Sequence, residues 1–459
     1  MMSLHEASAA IGAKALGEAR FLSVSTDTRT LARGALFVAL RGERFDGHRF
    51  LDAAKNRGAA AAMVDSKSAA RSPEFPLLVV DDTRRGLGRL ARHWRGRFDI
   101  PLVAVTGSNG KTTVKEMIAA ILRAHFGEIH VLATEGNLNN DVGLPLTLLN
   151  LREHHRAAVI ELGMNHPGET ESLAAITSPT VALVNNAQRE HQEFLNGVAE
   201  VAREHAAVFG ALRPNGVAVI NADDGFAAYW RGLLARKPVR AVRDFGVDNP
   251  AQVSGRHVVA HFGSRIELRA PEGEVTIELH ADGRHNVLNA CAAAASALVA
   301  GASLGAVARG LAAFRPVGGR MQRLSARSGA SLIDDSYNAN PDSVRVAIDV
   351  LAAERGTKFL LLGDMGEVGE RGVQFHEEIG RYARKRGVDR LYATGILSRA
   401  AVRAFGEGAR HFEAVEEMIV AAREEVVSNA VALIKGSRFM RMERVVQALA
   451  AEPAGTGAH

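Results

Sequence analysis

Val103-Ala104-Val105-Thr106-Gly107-Ser108-Asn109-Gly110-Lys111-Thr112-Thr113 carries an apolar run straight into a glycine turn and then into a helix-forming segment reaching about residue 125. The strand-like part covers 101–106. Glycines at 107 and 110 let the backbone curl so that successive N–H groups converge on phosphate oxygens. The helix that follows adds the positive end of its dipole. In such a turn Lys111 reaches the β- and γ-phosphates and the Thr112 hydroxyl takes Mg²⁺. The spacing is shorter than the usual G-x-x-x-x-G-K-[ST], because Val105 stands at the first glycine position and G-x-x-G-K-T-T remains. It is the strand–turn–helix setting that predicts a nucleotide loop made of Gly107, Ser108, Asn109, Gly110, Lys111, Thr112 and Thr113. A phosphate cradle serves switches, motors, kinases and ligases alike, so other residues must choose among them.

Outward from the loop, strand and helix patterns alternate. Short apolar runs at 157–160, 181–184 and 217–220 each end in polar or glycine residues. Runs of this kind belong to a parallel sheet covered on both faces, with functional groups at its carboxyl edge. Residues 239–278 alternate more finely and predict an antiparallel extension, and an alanine-rich helix over 286–300 precedes the break at Arg315-Pro316. Before the loop, runs at 35–40, 59–64 and 77–80 lie between glycine-bearing connectors, and 83–97 predicts a helix. After residue 317, strands are expected at 331–334, 359–362, 390–393 and 431–434, with helices between them. The expectation is an α/β chain of three domains. Residues 1–98 form a small mixed α/β N-terminal domain. A central P-loop ATPase domain with a mainly parallel sheet covers 99–315, and a C-terminal Rossmann-like doubly wound domain covers 316–459. The tail 452–459 is expected to fray.

The 459 residues are 47% hydrophobic and 23% charged, which excludes disorder and fibrous repeats. One cysteine, Cys291, excludes an internal disulfide and a cysteine-rich metal site. The chain has 47 Arg, 9 Lys and a net charge of +5, with the arginines scattered, so a solvated basic surface is expected and no nucleic-acid partner. Glu6 and Lys14 interrupt any signal-peptide pattern, and the most apolar stretch, 290–300, is about half the ~20 residues of a membrane helix. A cytoplasmic protein without stable membrane association is predicted.

Glu161 closes the run at 157–160, where a carboxylate can meet a nucleotide-bound cation. Residues 136–145 hold Asn137, Asn139 and Asn140 among glycines, amides able to bind anionic oxygens. His191 follows Asn185-Asn186. Farther on come Gly319-Arg320-Met321, Asp334-Asp335-Ser336-Tyr337-Asn338-Ala339-Asn340-Pro341, Gly363-Asp364-Met365-Gly366-Glu367 and Lys435-Gly436-Ser437-Arg438. Each alone reads as a turn about as readily as a site. Together they predict a second wall facing the nucleotide.

On these motifs the chain resembles the Mur ligase family over nearly its whole length. The family's nucleotide motif matches 106–113, its asparagine-rich motif 136–145, its metal-binding glutamate Glu161 and its histidine His191. Its adenine-side motif matches His285-Asn286-Val287-Leu288-Asn289, while Arg320 and Asp335 match residues that approach phosphate and ribose. The resemblance implies ATP and Mg²⁺ as cofactors, with Thr112, Glu161 and His191 toward metal and Lys111, Glu161, His191 and Arg320 in catalysis. It implies that nucleotide also meets Asn289 and Asp335. Ser25-Thr26-Asp27-Thr28-Arg29 and Asp46-Gly47-His48 resemble the UDP-sugar-binding part shared by the members that add the third residue and the terminal dipeptide. Tyr337-Asn338-Ala339-Asn340-Pro341 and the stretch around Asp364 favour the dipeptide-adding branch. The implied reaction joins D-alanyl-D-alanine to UDP-N-acetylmuramoyl-tripeptide through an acyl phosphate. Ser25, Asp27, Arg29, Asp46, His48, Asn137, Asn140, Tyr337, Asn338, Asn340 and Asp364 are the implied substrate contacts, and a monomer is expected. The alternatives are the sibling that adds the third residue and a regulatory NTPase; the guanine motif Asn-Lys-x-Asp of a GTPase switch is absent. The chain departs from the family in one respect. A lysine, carbamylated in the active enzyme, usually follows the histidine and helps hold a second metal, but 198–212 contains no lysine. Glu204 or His205 is expected to take its role.

Overall fold

The computed structural model describes residues 1–43, 45–68, 75–236, 241–259 and 263–451. The predicted tail at 452–459 lies outside the described residues.

The phosphate-loop strand, Leu102–Thr106, is buried along its whole length between two parallel neighbours, Ala157–Glu161 and Val181–Val184. These sit inside a nine-stranded sheet. From one edge its order is Val131–Ala133, Ala157–Glu161, Leu102–Thr106, Val181–Val184, Val217–Asn221, Ala241–Gly246, Val253–Val259, Ser264–Ala270 and Gly273–Leu279. The antiparallel extension expected over 239–278 needs correction. Ala241–Gly246 and Val253–Val259 run parallel to their inward neighbours, and antiparallel pairing is confined to Ser264–Ala270 with the strands on either side of it. Fine alternation reports one solvated face, as the alternating burial of Ser264–Ala270 illustrates, and not strand direction.

The helices Lys111–Phe126 and Arg284–Val299 pack against one another and share one core with this sheet. The alanine-rich composition of Arg284–Val299 fits that position, since nearly every residue from Val287 to Leu298 is buried. The approach to the sheet is close enough that a Cβ at Gly255 would sit 2.6 Å from Cys291 Sγ.

The opposite face of the sheet shares its core with the N-terminal residues. Leu87, Leu90 and Trp94 of helix Thr83–Gly96 pack with Leu144, Leu148 and Leu173, and Trp94 Nε1–H donates to the Leu151 carbonyl at 3.1 Å. A five-stranded sheet lies beyond, ordered Lys14–Leu16, Leu77–Val80, Ala61–Asp65, Ala35–Val38 and Ser23–Ser25. The C-terminal sheet has six strands, ordered Gln322–Ser325, Ser331–Asp335, Ala430–Lys435, Thr357–Gly363, Arg390–Thr394 and Ala409–Phe412. Only Gln322–Ser325 is antiparallel, which gives a doubly wound arrangement with its carboxyl edge turned to the phosphate loop. No described helix is long and apolar enough to cross a membrane.

Candidate active site

A segment after strand Val181–Val184 grips the phosphate loop from behind. Asn186 Oδ1 accepts from the Asn109 N–H at 2.8 Å, and the Asn185 and Asn186 side chains both donate to the Asn109 carbonyl. Gln188 N–H donates to Ser108 Oγ at 2.8 Å. This close grip demands glycine. Gly110 has φ +78°, and a Cβ there would lie 2.7 Å from Asn289 Oδ1. Lys111 Nζ folds back to donate to the Gly107 carbonyl at 2.5 Å and lies 3.4 Å from Glu190 Oε2.

The loop from Ser108 to Thr113 opens into a cavity of about 1130 Å³. The central sheet contributes Glu161, 2% exposed, with Oε1 accepting from Asn139 Nδ2 at 2.8 Å. Its other oxygen is buried without a hydrogen-bond partner among the described residues. Asn137 and Asn140 line the same wall, and Asn140 Oδ1 also fixes the turn into helix Gly143–Leu148 through the N–H groups of Val142 and Gly143.

The facing wall comes from the C-terminal sheet and includes Arg320, Asp335, Tyr337, Asn338 and Asn340. The Arg320 guanidinium lies 4.1 Å over the Tyr337 ring. Asp335 bonds to Lys435 Nζ at 2.5 Å and accepts from the Met321 N–H. Asn340 caps helix Pro341–Ala352 in a reciprocal box with Ser343, which places its amide opposite Asn109.

Between the walls stands His191, with Nδ1 2.6 Å from Glu367 Oε2 and Nε2 3.6 Å from Glu190 Oε2. His191 and Glu367 both adopt left-handed backbone, φ +48° and +56°, a cost that structures tolerate mainly at functional sites. The neighbouring imidazole holds the Glu367 carboxyl below its ordinary range. Burial favours a neutral Glu190, but Lys111, His205 and His191 outweigh it and keep this carboxyl far below the carboxylate range.

Three family models cover this arrangement. The Mur ligase family catalytic domain matches residues 21–95, the Mur ligase middle domain 105–297, and the Mur ligase glutamate ligase domain 319–438. An Escherichia coli protein named UDP-N-acetylmuramoyl-tripeptide–D-alanyl-D-alanine ligase is 41% identical over 93% of each chain. The chain belongs to the Mur ligase family. Among solved structures, MurF from Acinetobacter baumannii superposes with a TM-score of 0.88 at 32% identity, covering 97% of this chain and 98% of that one. MurF from Thermotoga maritima in complex with ADP gives 0.80 at 27% identity, covering 93% and 96%.

In this Mur ligase several expected contacts have other duties. Asp364 does not line the cavity. Its oxygens accept the N–H groups of Ile396, Leu397 and Ser398 at 2.7–3.1 Å, capping helix Ser398–Phe405. His48 is buried with both nitrogens occupied, Nδ1 by Asp46 and Nε2 by the Asp65 N–H, so His48 and Asp46 shape a turn. Ser25, Asp27 and Arg29 also lie away from the cavity; Arg29 forks onto Asp27 with both side chains at the surface. Asn289 reaches the cavity, but its amide bonds to Asn185 and Asn286 and buttresses the loop. Gly107 packs against Asn185 and Asn186 and does not line the cavity.

Of the two candidates for the missing lysine, Glu204 is corrected outright. Its carboxylate accepts the N–H groups of Gly168 and Thr170 at the start of helix Glu169–Thr177. His205 is wholly buried beneath the loop, bonded to Thr106 Oγ1 and Glu190 Oε1. Lys435 and Arg438 line the facing wall as the sequence suggested, whereas sequence reasoning missed Glu190, Gln188 and Arg284, which also line the cavity. Only the adjacency of Glu190 to His191 could have signalled it.

Proposed function

We propose that this Mur ligase joins the terminal carboxylate of UDP-N-acetylmuramoyl-tripeptide to the amine of D-alanyl-D-alanine, converting ATP to ADP and phosphate. The observation that carries this reading is the convergence of the phosphate loop, Glu161 and the Arg320–Tyr337–Asn340 wall on one cavity. An acyl donor, an amine acceptor and a nucleotide need such a space between two walls, which a simple NTPase does not.

A carboxylate is a poor acyl donor, so the reaction first transfers the γ-phosphoryl group to it, giving an acyl phosphate and ADP. The dipeptide amine then attacks the acyl carbon, and the tetrahedral intermediate expels phosphate. Both steps gather negative oxygen, so positioning and charge neutralisation dominate. Lys111 supplies positive charge from the loop side and Arg320 from the facing wall. The backbone N–H groups ahead of Lys111 hold the phosphates, and Asn137 and Asn140 orient the peptide carboxylate.

Mg²⁺ suits the donor set. The unpartnered buried oxygen of Glu161 and the Thr112 hydroxyl are hard oxygen ligands on one cavity, the remainder falling to phosphate and water. No described cluster of three or more His, Cys, Asp or Glu forms an all-protein cage, which fits a cation bound largely through nucleotide. When bound, it neutralises the bridging phosphate oxygens. His191, which lines the same cavity, would help hold a second cation.

Residues 1–98 are assigned to UDP-peptide, with half-buried Ser25 and Asp27 and exposed Arg29 toward it; 99–315 to ATP; and 316–459 to the incoming dipeptide through Tyr337 and Asn338. The protein works as a cytoplasmic monomer. The test is phosphate release with UDP-N-acetylmuramoyl-tripeptide, with D-alanyl-D-alanine or diaminopimelate as acceptor. Release coupled to pentapeptide with the dipeptide alone is expected, and its loss in Lys111→Ala. Release without any acceptor, or with diaminopimelate, would refute the reading.

A further inference from the structure

We propose that Glu190 is a positioning residue for Lys111 and that His205, from beneath the phosphate loop, holds Glu190 in place. The proposal rests on the ligase reading above and deepens it.

An unbroken series of contacts carries the argument. Thr106, the last residue of the loop's own strand, meets His205 Nδ1 through its hydroxyl at 2.8 Å. His205 Nε2 meets Glu190 Oε1 at 2.7 Å, and Glu190 Oε2 lies 3.4 Å from Lys111 Nζ. His205 is fully buried and Glu190 is 6% exposed, so neither side chain has room to wander. The ring spans the loop strand and the carboxylate, one nitrogen to each, so the loop strand itself fixes the orientation of the imidazole that meets Glu190. The segment that carries Glu190 also grips the loop, through Asn186 on the Asn109 N–H and Gln188 on the Ser108 hydroxyl. One piece of chain therefore fixes both the cradle and the ammonium that works inside it.

The chemistry explains why a carboxylate belongs there. The other two partners of Lys111 Nζ are the carbonyls of Gly107 and Ser108, at 2.5 and 3.3 Å. Phosphate oxygens compete for the same ammonium protons when nucleotide enters the cradle. Glu190 then remains as the protein anion that keeps a long, flexible side chain aimed. A negative group beside the cradle repels a triphosphate in the ground state. Its benefit must therefore appear after binding, as an ammonium already placed where charge develops on the transferring phosphoryl group. A residue that only built the pocket would show the opposite pattern, with affinity and rate lost together.

Glu190→Gln keeps the shape and an acceptor for His205 while removing the charge. Full-length wild type, Glu190→Gln, His205→Asn and the double variant are compared by kcat and KM for ATP, by calorimetric Kd for ADP with Mg²⁺, and by melting temperature. The expected result for Glu190→Gln is a kcat about 100-fold lower, with KM and Kd unchanged or tighter. His205→Asn lowers kcat about tenfold, and the double variant is no slower than Glu190→Gln, because His205 acts through Glu190. Wild-type kcat in Glu190→Gln, nucleotide affinity falling in step with kcat, or multiplying losses in the double variant would overturn the proposal. If wild type makes no pentapeptide, the ligase reading fails on its own. The calorimetry then decides this inference: weaker ADP binding by Glu190→Gln overturns it, and unchanged or tighter binding supports it.

Discussion

The side-chain amides of Asn109 and Asn340 meet across the cavity, Asn340 Nδ2 donating to Asn109 Oδ1 at 2.9 Å and Asn109 Nδ2 lying 3.4 Å from Asn340 Oδ1. Asn109 belongs to the phosphate loop. Asn340 is the cap of the C-terminal helix Pro341–Ala352, where its Oδ1 also accepts the Ser343 N–H at 2.8 Å. A single side chain thus starts a helix and bonds to the phosphate loop, so it links the two walls of the cavity.

Those two duties separate by substitution. Asn340→Asp keeps a good cap but replaces the donor facing Asn109 with an anion near the triphosphate. It should lower kcat/KM for ATP about tenfold or more while leaving the melting temperature nearly unchanged. Asn340→Ala should lower both, with about 1 kcal/mol of stability lost with the cap. Kinetics and thermal denaturation check this, and an Asn340→Asp enzyme with normal kcat/KM would remove Asn340 from the coupling.

Asp364 should behave as a structural residue. Its carboxylate accepts three consecutive N–H groups at a helix start, so Asp364→Ala is expected to cost about 2 kcal/mol in chemical denaturation. KM for D-alanyl-D-alanine should stay within about twofold of wild type, since no substrate contact is lost. A raised KM at unchanged stability would return Asp364 to the site.

How far the sequence is readable follows from what each residue's neighbours demand. The loop from Ser108 to Thr113 and Glu161 were legible because nucleotide chemistry forces residue types and spacing over a few consecutive positions. Arg320, Tyr337 and Asn340 were legible as polar turns just after apolar runs, the carboxyl edge of a sheet. Asp46 and Asp364 stand in similar turns and Glu204 on helix Val198–Ala206, but all three satisfy backbone N–H groups, a use that local sequence does not distinguish from ligand binding. Glu190 escaped notice because its partners are 15 residues ahead and 79 behind, brought together only by the folded sheet. Strand direction beyond residue 241 escaped for a related reason, since alternation records exposure and not polarity.

Cys291 offers a chemical reporter of the central core. Burial pushes its thiol well above the ordinary thiol range, up to about 12. The folded protein should therefore resist iodoacetamide at pH 8 and react only through unfolding. Between about pH 9 and 12 the unfolded thiol loses a proton that the folded one keeps, so this residue's contribution to stability is present below that window and fades as pH rises through it. Wild type should lose stability relative to Cys291→Ala across this alkaline range. Rapid alkylation of the native protein at pH 8 would contradict the buried placement.

Arg189 closes the cavity from outside. Its guanidinium forks onto Asp342 at 2.6 Å and reaches Glu378 at 2.7 Å, tying the segment behind the phosphate loop to two helices of the C-terminal sheet. The Asp342 and Glu378 carboxylates raise the Arg189 pKa despite partial burial, so the tie persists across the working pH range. The Arg189, Asp342 and Glu378 side chains keep 21%, 25% and 31% of their surface, so water screens each pair and the link is reversible. Arg189→Ala should therefore leave folding intact while letting the two walls part. Small-angle scattering of the nucleotide-free variant should give a larger radius of gyration than wild type, and an ATP analogue with UDP-N-acetylmuramoyl-tripeptide should restore the compact value by bridging the walls in its place. KM for D-alanyl-D-alanine should rise about tenfold with a smaller change in kcat, because the dipeptide binds only between walls already brought together. Identical scattering from variant and wild type would show that Arg189 carries no closing force.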